Sequence, residues 1–380
     1  MVIEKADILN FKNIPDTRIE FSPGVNCLLG RNGMGKSNLL EAIHFVCMAR
    51  PMTSTPEVSL IRHGEEMMSV SATFAMDKGP QEKVSIGIVR GKGKSLKRNG
   101  KDYERISQHI GKFPIVSVTP RDSELVSGPA EERRRMTDMV ISQADGAYLA
   151  QLIRYNRALE SRNSMLRQGV ADPLLFESVE QVMEEASAVV HACRSQWVER
   201  IRPVVKANYS EIAGEGEKLT IAYRSVLNDM PLREVLARNR GKDAALGYTS
   251  SGIHRDDIAS ELNGHSLRRV GSQGQVKTFT IALRLAVFDY LTQTGGVTPL
   301  LLLDDIFDKL DSRRVSRIMQ LVSRSRDFGQ IFITDTNREH LDETLAALDG
   351  PKQLILVEDG QFSPWAAPDF EVPTRIAAEP

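Results

Sequence analysis

The chain has 380 residues, 41% hydrophobic and 26% charged, with 49 Lys and Arg against 50 Asp and Glu for a net charge of −1. That length accommodates about two domains, each with its own core. The balanced composition excludes a disordered acidic tail, a collagen and a bulk-basic nucleic-acid binder, but it leaves room for a local basic patch.

No window approaches 18 uninterrupted apolar residues, and no cationic segment leads into an apolar one at the start. The expectation is a cytoplasmic chain with no membrane partner. Cys27, Cys47 and Cys193 lie far apart, so buried free thiols are expected rather than a disulfide framework, and the seven scattered histidines show no zinc spacing.

In chain order, Arg18–Phe21 alternates like a short strand, and Val25–Leu29 reads as a buried one. A helix is predicted from Ser37 to Met48, with Leu40, Ile43 and Cys47 on one face. Residues 66–118 look β-rich, with Asn99-Gly100 as a hairpin turn. From Glu131 to Gln168 the pattern is helical and ends at Gly169. Asp172-Pro173 then starts a second helix with an apolar stripe of Leu175, Val179, Val182, Ala186, Val189, Cys193, Trp197 and Ile201, which Pro203 should kink or end. Residues 125–210 thus form a helical arm inserted into an α/β body made of 1–124 and 211–380. A helix over Gln275–Thr292 and strands at 300–303, 330–334 and 354–357 complete that body.

Three segments carry chemistry. Gly30-Arg31-Asn32-Gly33-Met34-Gly35-Lys36-Ser37 matches GxxxxGK[ST] between a buried strand and a helix. Its glycines let backbone N–H groups curl around a β-phosphate at a helix N-terminus. Lys36 is placed to reach the β- and γ-phosphates, and Ser37 to ligate Mg²⁺. Leu300–Leu303 followed by Asp304-Asp305 looks like the partner Walker B strand. There Asp304 would hold the hydrated Mg²⁺, and Asp305 would orient water and take its proton. Gly271-Ser272-Gln273-Gly274-Gln275 opens the preceding helix and resembles the ABC signature, with Ser272 and the Gly274 amide available to a γ-phosphate; Asp311 sits at the D-loop position.

Spacing narrows the family. Lys36 and Ser272 are 236 positions apart, about twice the transporter separation, and Phe332-Ile333-Thr334-Asp335-Thr336 lacks the transporters' switch histidine. Thr334 and Asp335 are the candidates for that role. The chain is too short for the long coiled coil of chromosome-structuring relatives. The pattern resembles the RecF family, the short branch of the SMC-like ABC ATPases.

The resemblance runs nearly end to end. It rests on Leu9-Asn10-Phe11-Lys12-Asn13, Lys36-Ser37-Asn38 through Ile43, Gly128-Pro129 with Arg133–Arg135, Tyr155-Asn156-Arg157, Gly252–Asp257, Ser272–Gln275 and Asp304–Asp311. It implies an α/β ABC-type head with an inserted arm, using ATP and Mg²⁺ held by Gly30–Asn38 and by Ser272, Gly274, Gln275 and Asp311. It also implies an ATP-dependent homodimer with weak, DNA-stimulated ATPase activity. Such a dimer binds gapped DNA and single-/double-strand junctions and acts with RecR, RecO and RecA. Another ABC-type ATPase, a transport motor or a non-hydrolysing clamp, stays open as the alternative.

From Arg90 to Arg105 seven cations face only Asp102 and Glu104, a local charge of +5. This predicts a basic hairpin in which Lys94, Lys97, Arg98 and Lys101 contact phosphates without reading bases. A solvated edge hairpin guarded by lysines is the competing reading.

Overall fold

The computed structural model describes residues 1–365 except 54, 215, 308–309, 325–328 and 348–349; at 312, 323, 324, 340, 343, 344 and 347 it describes the backbone alone. The quoted Asp308 and Lys309 therefore lie outside the described residues. The chain opens with β1 (Val2–Phe11) and β2 (Ile14–Glu20), followed by β3 (Val25–Leu29) and α1 (Lys36–Met48). Next come β4 (Met67–Ala75), β5 (Glu82–Val89), β6 (Gly93–Arg98), β7 (Lys101–Asp102) and β8 (Ile115–Val118).

Strands β2-β1-β4-β5-β6-β7 form one antiparallel sheet that ends in the basic hairpin. At its tip Asn99 and Gly100 have φ of 52° and 80°, the left-handed pair that a two-residue hairpin turn needs.

The arm begins with α2 (Glu124–Ser127), α3 (Ala130–Ala144), α4 (Gly146–Arg167) and α5 (Pro173–Ala213). The expected single helix over 131–168 is two helices, because Asp145 breaks the first and caps the second by accepting from the amides of Ala147 and Tyr148. Asp172 caps α5 as predicted, accepting from the Leu174 amide. The helix does not end at Pro203. Ile201, Val205, Tyr209 and Ile212 stay buried on either side of it, and this apolar face outweighs the roughly 3 kcal/mol cost of an internal proline. The predicted stripe is partly offset: Leu175 and Val189 are exposed, while Met183, Val190 and Val198 are buried.

After the arm come β9 (Leu219–Arg224), α6 (Leu232–Leu246), β10 (Asp257–Leu262), β11 (His265–Ser266), α7 (Leu267–Val270) and α8 (Gln273–Gly295). The chain then runs through β12 (Leu300–Asp304), α9 (Ser312–Arg324), β13 (Ile331–Asp335), α10 (Arg338–Ala347), β14 (Lys352–Glu358) and β15 (Gln361–Pro364). Strands β14, β3, β13, β12 and β8 lie parallel in a second sheet, with β15 antiparallel on its edge. Their near-continuous apolar runs reflect burial on both faces. Leu300, Leu302 and Phe332 face the core under α1, and Leu301, Leu303, Ile331 and Ile333 face the core shared with α3, α5 and α8. The loops after β3, β12 and β13 therefore converge at one edge, where parallel α/β sheets place their sites.

Buried arginines tie the arm together. Arg194 on α5 is 2% exposed and meets Asp138 at 2.9 Å, Asp256 at 3.0 Å and the Ile253 carbonyl at 2.8 Å. Arg162 on α4 is fully buried and meets Glu180 at 2.9 Å and Asp243 at 2.8 Å. Removing one partner strands the others' charge, so Arg194→Ala should cost about 3–5 kcal/mol in a denaturant melt. A change below about 1 kcal/mol would mean that solvent reaches the carboxylates.

Candidate functional site

The loop between β3 and α1 curls because its glycines permit it. Gly35 has φ +115°, which a side chain would strain, and Asn13 packs directly over it. Asn13 donates to the Gly33 carbonyl at 3.3 Å and accepts from Asn38 at 2.7 Å, so the N-terminal strand pair braces the loop. The Gly360 amide donates to the Met34 carbonyl at 2.8 Å from the β14–β15 turn.

Lys36 starts α1 with its ammonium folded back on the loop, donating to the carbonyls of Gly30 at 2.5 Å and Arg31 at 3.0 Å. Burial lowers its pKa, and the nearby carboxylates of Asp305, Asp304 and Asp335 act in the opposite direction.

At the end of β12 the Asp304 carboxylate accepts from the Ser37 hydroxyl at 2.9 Å and from the Thr334 hydroxyl at 2.7 Å. Burial raises its pKa, and those two hydrogen bonds pull the other way. Asp305 has φ +48°, and its amide donates to the Thr334 hydroxyl at 2.9 Å. Thr334 therefore fixes both acids, with its hydroxyl spent on their geometry. Asp335 accepts from the amides of Thr336 at 2.6 Å and Asn337 at 2.8 Å.

The glycine loop and the acids thus stand together: the side chains of Lys36, Ser37, Asp304 and Asp305 share one edge of the parallel sheet. All the oxygens here are hard donors, and the Ser37–Asp304 pairing matches the chemistry of a Mg²⁺ site. Curled backbone, ammonium and helix start match a phosphate chain. The fit is to a Mg²⁺–nucleotide.

The Ser272 loop stands apart. Ser272 and Gln275 form a reciprocal cap on α8, at 3.2 and 2.8 Å. Gln275 also donates to Glu217 at 2.6 Å, and Glu217 accepts from Tyr209 near the end of α5. A side chain at Gly274 would collide with the Arg314 guanidinium, which pairs with Asp311 at 3.4 Å. These partners of Ser272 and Gln275 thus do not include residues 30–38, Ser272 itself is exposed, and one turn further along α8 Lys277 donates to the Asp305 carbonyl at 3.4 Å.

On the hairpin, Lys94 is held by Glu57 and by the Ala49 carbonyl, and Arg98 is held bidentately by Glu82. Lys97 and Lys101 are exposed, with Asp102 3.7 Å from Lys97. The three arginines Arg133–Arg135 are bound internally, to Asp257, the Asp256 carbonyl and the Thr53 carbonyl.

Sequence reasoning missed Asn13 and Arg314 as supports. It weighed Thr334 only as a sensor, although a hydroxyl at the end of a fully buried strand already signals a built polar contact.

Among the described residues no helix is long and apolar enough to cross a membrane, and no cluster of three His, Cys, Asp or Glu could hold a metal by itself. The model of the RecF/RecN/SMC N terminal domain matches residues 2–355. The chain is 46% identical over 363 residues to the DNA replication and repair protein RecF of Porphyromonas gingivalis, covering 95% of this chain and 100% of that one. To its Parabacteroides distasonis counterpart it is 44% identical, covering 96% and 99%. Its fold is similar to the recombination mediator protein RecF-ATP of the RecFOR pathway, with a TM-score of 0.86 and 28% identity over 96% of this chain and 97% of that one. The Smc head domain from Pyrococcus furiosus, with a TM-score of 0.57 and 18% identity over 96% and 95%, shares the fold.

Ionising Asp304 costs stability in the ligand-free chain, because its folded pKa lies above its ordinary value of 3.8. Asp304→Asn should therefore raise the urea midpoint of the ligand-free chain at pH 7–8. The gain should shrink as pH falls through that raised pKa. A loss of stability at pH 7–8 would show that Lys36 compensates the carboxylate fully.

Proposed function

Because the chain belongs to the RecF family of SMC-like ABC ATPases, we propose that it is an ATP-dependent DNA-binding protein of recombinational repair and replication-fork maintenance. The observation that carries this is the Ser37–Asp304–Thr334 bridge beside Lys36, which ties the glycine loop to the acid-bearing strand. Residues 1–124 and 211–380 are the ATPase head, and residues 125–210 are the arm.

ATP with Mg²⁺ supplies the phosphoanhydride whose cleavage drives the cycle. The amides of Gly30–Lys36 cradle its phosphates, Lys36 turns from the Gly30 and Arg31 carbonyls to the β- and γ-phosphates, and Ser37 and Asp304 hold Mg²⁺. Asp305 orients a water and takes its proton. Ser272, Gly274, Gln275 and Asp311 serve the partner subunit's nucleotide, which suits the exposure of Ser272. Each site is complete only in the dimer, so turnover is slow and DNA stimulates it by favouring that dimer. Lys97 and Lys101 contact DNA phosphates at gaps and single-/double-strand junctions. Lys94 and Arg98 set the hairpin's shape while adding to its field. The dimer works with RecR, and through it with RecO and RecA, in the cytoplasm.

Three substitutions test the cycle by turnover assay and sizing chromatography. Lys36→Arg should abolish hydrolysis, and Asp305→Asn should retain ATP and accumulate dimer. Ser272→Arg should stay monomeric with nearly unchanged single-subunit nucleotide affinity; a Ser272→Arg dimer formed on ATP would refute the cross-subunit assignment.

For DNA, Lys97→Ala with Lys101→Ala should weaken binding equally across sequences. The slope of log affinity against log salt should flatten by about 0.7–0.9 per lost contact. An unchanged slope would clear the hairpin of phosphate contact.

A further inference from the structure

Beyond the C-terminal end of α1 lies a cavity of about 280 Å³, walled by residues 50–53 and 55, by residues of 119–139 and by Arg284 of α8. It is remote in sequence from the glycine loop, and none of the residues assigned to nucleotide or DNA lines it. Its cations differ in their commitments. Arg284 is spent on Asp122, at 2.6 and 3.0 Å. Arg135 donates to the Thr53 carbonyl at 3.0 Å.

The Arg50 guanidinium has no hydrogen bond or ion pair among the described residues, although it is half-buried, while the Arg50 backbone hydrogen-bonds the His44 ring. The acids whose fields reach it, Asp138 and Glu57, are engaged by Arg194 and Lys94. Burial first and Arg135 second push its pKa down, the signature of a cation lacking a counter-ion.

Beside it, His44 is 3% exposed and its Nδ1 has no hydrogen-bond partner. Burial, with Arg50 and Arg284 adding to it, holds the ring neutral with a pKa lowered to about 3. A neutral imidazole can carry its proton on Nδ1 and donate it. A buried, unpartnered ring nitrogen beside an unpaired guanidinium costs free energy unless something answers both. Of the acids lining the cavity, Asp122 is taken by Arg284, Glu132 has a partner of its own, and Glu124 is exposed to water at the rim. Met52, Leu125, Met136 and Met139 line the remaining wall and keep the local dielectric low.

We propose that this cavity is a second, separate phosphate-type oxyanion site, with the Arg50 guanidinium as its fork and the unpartnered Nδ1 of the His44 imidazole beside it. A guanidinium fork suits a tetrahedral oxyanion through paired N–H donors. The same chemistry is offered by free phosphate and by a DNA backbone phosphate. The site does not depend on the proposed ATPase cycle, because its residues take no part in it.

The test uses the full chain saturated with Mg²⁺ and a non-hydrolysable ATP analogue, so that the β- and γ-phosphate positions of the glycine loop are filled and do not compete. Orthophosphate is titrated at constant ionic strength and followed by calorimetry, and a short DNA duplex is titrated in a second arm. Wild type should bind orthophosphate saturably. Arg50→Gln should weaken this at least about tenfold, with Arg50→Lys in between and both variants keeping the wild-type urea midpoint to within a small shift.

If DNA is the natural source, Arg50→Gln should also weaken the duplex and flatten its salt slope by about 0.9, one contact's worth. If free phosphate is the source, duplex binding stays the same and only the orthophosphate arm changes. Absence of saturable orthophosphate binding, or equal affinity in wild type and Arg50→Gln, overturns the proposal.

Discussion

The carboxylate of Asp304 sits where burial opposes its charge, and two hydroxyls from different elements keep it there. Ser37 brings the start of α1 to it, and Thr334 brings the end of β13. Because the same Thr334 hydroxyl also accepts from the Asp305 amide, the two acids move as one with the sheet. The ends of β12 and β13 and the start of α1 are thus registered against a single anion. On the proposed reading its desolvation is the standing cost of a site for a divalent cation, a local sacrifice of stability of the kind expected at functional centres.

Charge in this protein is a matter of commitment more than of sum. Many cations that the sequence displays in runs are consumed internally, at Arg133–Arg135, at Lys94 and Arg98, and in the buried Arg162 and Arg194 networks. These networks fix the geometry of the arm, since each charge is tolerated only while its partners stay put. Other cations stay exposed, among them Lys97 and Lys101 on the hairpin, and Arg50 lines its cavity. On the proposed reading, pairing two hairpins in a dimer concentrates a field that one balanced chain does not present.

Much of this was legible beforehand. The glycine loop, the Leu300–Asp304 strand and the Ser272 cap each follow from local rules of backbone freedom, burial on both faces and helix capping, so the sequence carries them directly. The Asp145 break was missed because an N-cap inside a charged helical run looks like one more polar position. The helix runs on past Pro203 because tertiary packing of Ile201, Val205 and Tyr209 outweighs a local penalty. The offset stripe on α5 has the same origin, since Arg194 and Glu180 take buried positions on the strength of long-range ion pairs. Asn13, Thr334 and Arg314 act across the fold, and no spacing rule reaches that far.

The central claim is that Ser272 of one subunit meets the glycine loop of another when ATP is bound. Ser272→Cys combined with Asn32→Cys, in a Cys193→Ser background, reads this directly, because Cys27 and Cys47 are buried. Under mild oxidation the account predicts a disulfide-linked dimer that forms with ATP and Mg²⁺ and is absent without them or in either single variant. Equal cross-linking with and without ATP, or a bond formed within one chain, would contradict it.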